Sequence, residues 1–179
     1  MKKIKKKIIW KINLNSEIDR ARFFTFLAFV GIITILAWQS DDAYHGYVMA
    51  KHFVEGDGFV YNIGERSSAS SCPLFTLVIA AAYFVTREMF FTSLIVCIAF
   101  SAAAYLILVY KFCKTKEQIL MSFFALTGST AFVSYTTSGL ENSMLFFLSA
   151  LFLFHPQLIQ IIFPKQLLFL LHPNKNLMY

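Results

Sequence analysis

Charge is scarce in this chain. Of its 179 residues only 15% are Asp, Glu, Lys or Arg, while 58% are hydrophobic. Soluble domains run at about a quarter charged, so the polar residues needed to cover a water-soluble globule are missing. Cysteine is scarce as well. Cys72, Cys97 and Cys113 show no C-x-x-C spacing, which leaves neither a metal site nor a disulfide framework to be read from them. Cys97, inside an apolar run, reads as a small core residue.

What is present is apolar and aromatic. Phe alone occurs 21 times, aromatics make up 17% of the chain, and mean hydropathy is +0.61. The length allows roughly four spanning helices of about 20 residues, with loops between them. The expected fold class is therefore all-α: a polytopic helical membrane protein with about four spans. Two further helices are expected to lie at the interface, in the first external loop.

The net charge of +6 sits almost entirely at one end. Residues 1–22 hold Lys2, Lys3, Lys5, Lys6, Lys7, Lys11, Arg20 and Arg22 against Glu17 and Asp19. A basic tail is compatible with nucleic acid in principle. Directly before an apolar helix it reads instead as a cytoplasmic anchor on anionic membrane lipids, with no nucleic-acid partner.

The first apolar run is 23–38, with Arg20 and Arg22 placed to snorkel at one end and Trp38 at the other interface. A cleaved signal peptide is the competing reading. The charged region before the run is long and no A-x-A-like site follows it, so an uncleaved span is expected. Residues 39–88 form the external loop. Within it Ala43, Tyr47, Ala50 and Val54 share one helical face. Ser40 suits an N-cap and Gly56 a C-terminal stop, which gives a helix over about 41–55. The apolar run 73–85 has only 13 residues, too few to span comfortably, and is expected to be interfacial or re-entrant.

Residues 89–110 are long enough to span and are followed by Lys111, Lys114 and Lys116. Those lysines put 111–118 on the cytoplasmic side. The next expected segments are a third span at 119–135, an external loop at 136–142 and a fourth span at 143–163 with an irregular end. His155-Pro156, Phe163-Pro164 and His172-Pro173 break the pattern, because proline at that density does not continue a clean helix. Residues 164–179 read as an atypical tail.

This topology brings Asp41-Asp42 and Glu141 to the same side of the membrane. An Asp at the start of an interfacial helix can act as general base for an acceptor hydroxyl. It can also join another carboxylate or a phosphate in holding a divalent cation. The plainer reading is that two acids at a helix N-terminus favour its dipole, and Glu141 is then a first-turn carboxylate. Arg66 is a candidate phosphate partner, with a solvated loop Arg as the plainer alternative. His45 and His52 lack a ligand set around them and are assigned no metal.

These residues carry a family resemblance. Asp41-Asp42-Ala43-Tyr44, then 55–62 (EGDGFVYN), Gly64-Glu65-Arg66 and Cys72-Pro73-Leu74 are similar to the first external loop of membrane glycosyltransferases of the GT-C fold. They resemble in particular the arabinofuranosyltransferase-like branch, which reads DDAY…EG-x-G-x-V-x-N-x-G-E-R…T-S-P-L. Thr137-Ser138-Gly139-Leu140-Glu141 is similar to that branch's S-G-L-E-T element. The resemblance covers about 23–154. It departs at Ser71-Cys72, at Asn142 and across Ser67 to Ser71.

The resemblance implies a bacterial plasma-membrane enzyme that transfers a sugar from a polyprenyl-phosphate donor. The acceptor would be a cell-envelope glycan or lipid on the outer face. Asp41 or Asp42 would be the catalytic base, with Asp41 slightly favoured because it opens the motif. Glu141, Arg66 and Tyr44 would lie on the substrate side. No cofactor is required by the pattern, and a divalent cation is compatible with it. Members of that fold have many more spans than this chain holds. The expectation is thus an N-terminal portion that is inactive alone. The alternative is a non-catalytic small membrane protein or scaffold subunit. A transporter fragment is the weaker third reading, since transporters place ionisable groups at mid-membrane.

Overall fold

The computed structural model describes residues 16–65 and 67–154. Every regular element among them is helical. In chain order these are α1 (Glu17–Ile35), α2 (Ala43–Glu55), α3 (Pro73–Thr86), α4 (Phe90–Ile107), α5 (Lys116–Thr127), α6 (Thr130–Tyr135) and α7 (Asn142–Phe154). A five-residue π-helical turn, Leu108–Phe112, continues α4. The expected segments at 155–163 and 164–179, and Arg66, lie outside the described residues.

Local chemistry explains most of the boundaries. Gly56 ends α2 in the left-handed conformation at φ +96°, where a Cβ would be strained. Pro73 starts α3 in the first turn, where its missing N–H costs nothing. Thr115 opens α5 with a reciprocal capping box: its hydroxyl accepts from Gln118 N, and the Gln118 amide oxygen accepts from Thr115 N.

Two local details differ from the sequence reading. Ser40 does not cap α2. Asp42 occupies the N-cap, and the chain enters through tight turns in which Ala43 N and Tyr44 N donate to the carbonyls of Ser40 and Asp41. The segment expected as one span at 119–135 is two helices. Gly128 and Ser129 interrupt it, and the Ser129 hydroxyl caps α6 by accepting from Phe132 N at 3.3 Å. A local side-chain cap competes here with continuation of the helix.

α1, α4 and α5 run alternately up and down. At one end Arg22 bonds Asp19 at 3.1 Å and donates to the Cys113 carbonyl at 3.0 Å. At the other end Gln39 donates to the Phe90 carbonyl and to Ser93 Oγ. Ser40 N there meets the Ser138 carbonyl at 2.8 Å, and Trp38 Nε1 meets the Ser134 carbonyl. Between the ends lies a core of Phe29, Ile33, Tyr105, Val109, Cys113 and Ile119, with the Phe29 and Tyr105 rings stacked at 4.6 Å.

A second core joins α2 and α3 to α4 and α7 through Ala43, Tyr47, Ala50, Phe75, Ile79, Cys97 and Met144. The apolar face of α2 thus points into the bundle, with Val54 packed at its edge.

Hydroxyl side chains share the interior with the two apolar cores, and large apolar side chains also lie on the outside. Ser93, Ser101, Thr136, Thr137, Ser138 and Ser143 are fully buried, while Met121, Phe124, Ile95 and Phe91 are each at least 62% exposed. Among the described residues one continuous helix, Phe90–Phe112, is long and apolar enough to cross a membrane by itself. Its 23 residues measure about 34 Å at 1.5 Å per residue. Pro73–Thr86 and Asn142–Leu153 are apolar but shorter.

Candidate functional site

The two acidic motifs meet in space. Asp42, from the start of α2, and Glu141, from the turn before α7, line one small cavity with Ser70, Ser71 and Thr76. The cavity holds about 30 Å³, room for one or two water molecules. Glu141 accepts a long hydrogen bond from Ser71 Oγ at 3.4 Å, and the Ser70 and Thr76 hydroxyls are 2.7 Å apart.

The neighbouring acid is used differently. The Asp41 carboxylate accepts from Ser40 Oγ at 3.3 Å and from Asp42 N at 3.1 Å. It organises the turn that starts α2. Asp42 gives no side-chain bond to the helix it opens. Of the pair, Asp42 is the carboxylate that faces the cavity.

The stretch from Thr136 to Gly139 holds the two motifs together. The Ser101 hydroxyl donates to the Thr136 carbonyl at 3.2 Å, and Trp38 N to Thr137 Oγ1 at 3.4 Å. Gly139 adopts φ +78° and lies against Ala43 and the Tyr47 hydroxyl, which occupies the space a Cβ would need. Glycine is therefore required there for two reasons, backbone conformation and close approach. This contact sets α2, which carries Asp42, against the turn that carries Glu141. Tyr47 is 4% exposed, and its burial raises the phenol above its usual pKa, opposed in part by Ser93.

Tyr44 is not at the Asp42 cavity. It lies on another face of α2, where it lines a larger cleft of about 440 Å³. The glycines of the 55–65 stretch have structural tasks: Gly56, Gly58 and Gly64 all take positive φ. Asn62 and Glu65 close a turn through a side-chain bond of 3.0 Å. His52 Nδ1 lies 3.1 Å from the Val60 carbonyl, and the His45 ring packs against Tyr61. Both histidines thus serve the loop.

Among the described residues no three His, Cys, Asp or Glu side chains converge. A divalent cation at the cavity would depend on substrate oxygens as well as on Asp42 and Glu141. Compared with protein-family models, with curated proteins and with solved structures, the chain matches none.

Proposed function

We propose that the chain is a polytopic membrane protein bearing an acidic outer-face site of the GT-C glycosyltransferase kind, which acts on a polyprenyl-phosphate-linked sugar. The membrane part of this reading rests on the apolar exterior of the bundle and on the helix Phe90–Phe112. Small hydroxyl residues pack inside beside the apolar cores, and Phe91, Ile95, Met121 and Phe124 face outward, as expected where lipid replaces water around helices. α1, α4, α5 with α6, and α7 are the four spans, and α2 and α3 lie at the outer interface. The lysines after α4 and the basic tail then share the cytoplasmic side.

The catalytic part rests on one observation: Asp42 and Glu141, from separate motif elements, line the same cavity. Asp42 is the base. It takes the proton of an acceptor hydroxyl as that oxygen bonds the anomeric carbon. The bond from that carbon to the phosphate oxygen breaks, and its electron pair leaves with the polyprenyl phosphate. Glu141, with Ser71, orients the acceptor. The cavity admits only the reacting hydroxyl, so the sugar lies across its mouth.

The experiment is Asp42→Asn in membranes where the protein supports turnover of lipid-linked sugar. Asn keeps the size and capping ability of Asp but cannot accept the proton. Turnover should fall about 10²–10⁴-fold, with membrane insertion unchanged, while Asp41→Asn should cost far less. Parent-like turnover in Asp42→Asn would remove the base assignment. The small volume of the cavity favours the second reading, a non-catalytic membrane subunit, and that reading predicts no turnover effect from either substitution.

A further inference from the structure

The Asp42 cavity is closed on one side by chain that belongs to no helix. Its other walls are fixed. Asp42, Ala43 and Gly46 come from the start of α2, and Phe75 and Thr76 from α3, both helices being packed into the second core. Gly139 to Glu141 follow the stretch tied to Trp38, Ser40 and Ser101. The remaining wall is Ala69 to Cys72.

This wall runs between two anchors. Upstream, α2 holds the loop with its outer face. His52 Nδ1 meets the Val60 carbonyl at 3.1 Å, the Phe53 ring meets Phe59, and Tyr61 N donates to the Ser67 carbonyl at 3.0 Å. Downstream, Pro73 begins α3. Between the anchors, residues 68–71 make no backbone–backbone hydrogen bond among the described residues. Ser68, Ala69 and Ser71 are exposed.

Side-chain contacts hold the segment down. Ala69 N donates to Met49 Sδ at 3.3 Å, and Ser68 Oγ approaches the same sulfur at 4.0 Å. A thioether is a weak acceptor, yet Met49 is fully buried beneath the segment. Ser70 meets Thr76 at 2.7 Å, while Ser71 reaches Glu141 only at 3.4 Å. The Ser67 hydroxyl at the upstream anchor is buried with no partner among the described residues, which weighs against this position of the segment.

We propose that residues 68–72 are a flap over the Asp42 cavity, latched to α2 by the Met49 thioether. Closed, the flap leaves room for a hydroxyl or a water molecule. Open, it lets the ring that carries the hydroxyl follow towards Asp42 and Glu141, and Ser71 returns to Glu141 as the flap closes. Met49 is a positioning residue: it touches no ligand and sets how much of the time the flap is shut. What enters under the flap rests on the reading of the cavity as a transfer site. The motion itself does not, and it is read without turnover.

Cys72, half-buried in the cavity wall, is the reporter. Cys97 and Cys113 are 0% and 5% exposed and are replaced by alanine. The rate at which a water-soluble maleimide labels Cys72 is measured on the full chain in nanodiscs. Met49→Leu nearly keeps the volume and removes the acceptor. It should raise the rate about threefold or more, as for the loss of one weak hydrogen bond, with little change in the unfolding midpoint. Thr76→Val, which removes the partner of Ser70, should do the same. Thr115→Ala lowers stability away from the cavity and should leave the rate at the parent value.

Parent-like labelling in both Met49→Leu and Thr76→Val overturns the flap. So does an equal rise in Thr115→Ala, which would show that Cys72 reacts only through general unfolding. If Asp42→Asn leaves turnover unchanged while the two flap variants label faster, the flap stands and the base assignment falls.

Discussion

Gly139 carries more of the site than either acid does. It brings the turn with Glu141 against α2, because the Tyr47 hydroxyl fills the position its Cβ would take. Gly139→Ala should therefore destabilise the protein by about 2 kcal/mol or more, from positive φ together with overpacking. The readout is the thermal midpoint in detergent. Tyr47→Phe removes the crowding oxygen, and combined with Gly139→Ala it should recover part of the loss. The two effects are then non-additive, as expected for groups in contact. Strict additivity would show that the contact is not what fixes glycine at 139. Thr136, Thr137 and Ser138 are 0% exposed although their composition reads as a solvated turn. Polarity in the sequence does not tell whether a hydroxyl meets water or a neighbouring carbonyl. The Thr136 hydroxyl donates to the nearby Val133 carbonyl, and the Ser138 hydroxyl accepts from Leu140 N. The Thr137 hydroxyl meets Trp38 N, and the carbonyls of Thr136 and Ser138 meet Ser101 and Ser40, all far away in sequence.

At the level of elements, caps explain where helices start and stop. Thr115→Ala removes the capping box of α5 and Ser129→Ala the cap of α6. Each should cost about 1 kcal/mol, read as a lower unfolding midpoint. Thr115→Ser should lose little, because the hydroxyl remains.

The helix at 43–55 was legible because its signals agree. Ala43, Tyr47, Ala50 and Val54 share a face, and Gly56 follows. The break at Gly128-Ser129 is marked by Thr127-Gly128-Ser129-Thr130 in the middle of 119–135, but the apolar runs on either side make the whole stretch read as one span. The signal lay in the Gly-Ser pair, whose serine can cap a new helix. Likewise the pairing of Asp42 with Glu141 was suggested by their shared side of the expected topology. The distinction between Asp41 and Asp42 needed the hydrogen bonds of the turn. The cleft that Tyr44 lines left no local signature, because its walls come from α2, α3 and the start of α4.

For the molecule as a whole, the alternation of α1, α4, α5 and α7 separates two ends. One holds Arg22 and Cys113; the other holds Gln39, Ser138 and Asp42. If lipid surrounds the helices, these ends face opposite compartments, and the acidic cavity and the aromatic cleft both open outward. Exposed Phe124 and Met121 then contact acyl chains instead of water. Labelling tests this most directly, with a membrane-impermeant maleimide on intact cells, after Cys72, Cys97 and Cys113 are replaced. A single cysteine is introduced as Asp57→Cys or as Lys114→Cys, both at exposed positions. The four-span arrangement predicts that Asp57→Cys is labelled from outside intact cells, and Lys114→Cys only after the membrane is opened. Labelling of both from the same side, or recovery of the chain in the soluble fraction, would contradict it.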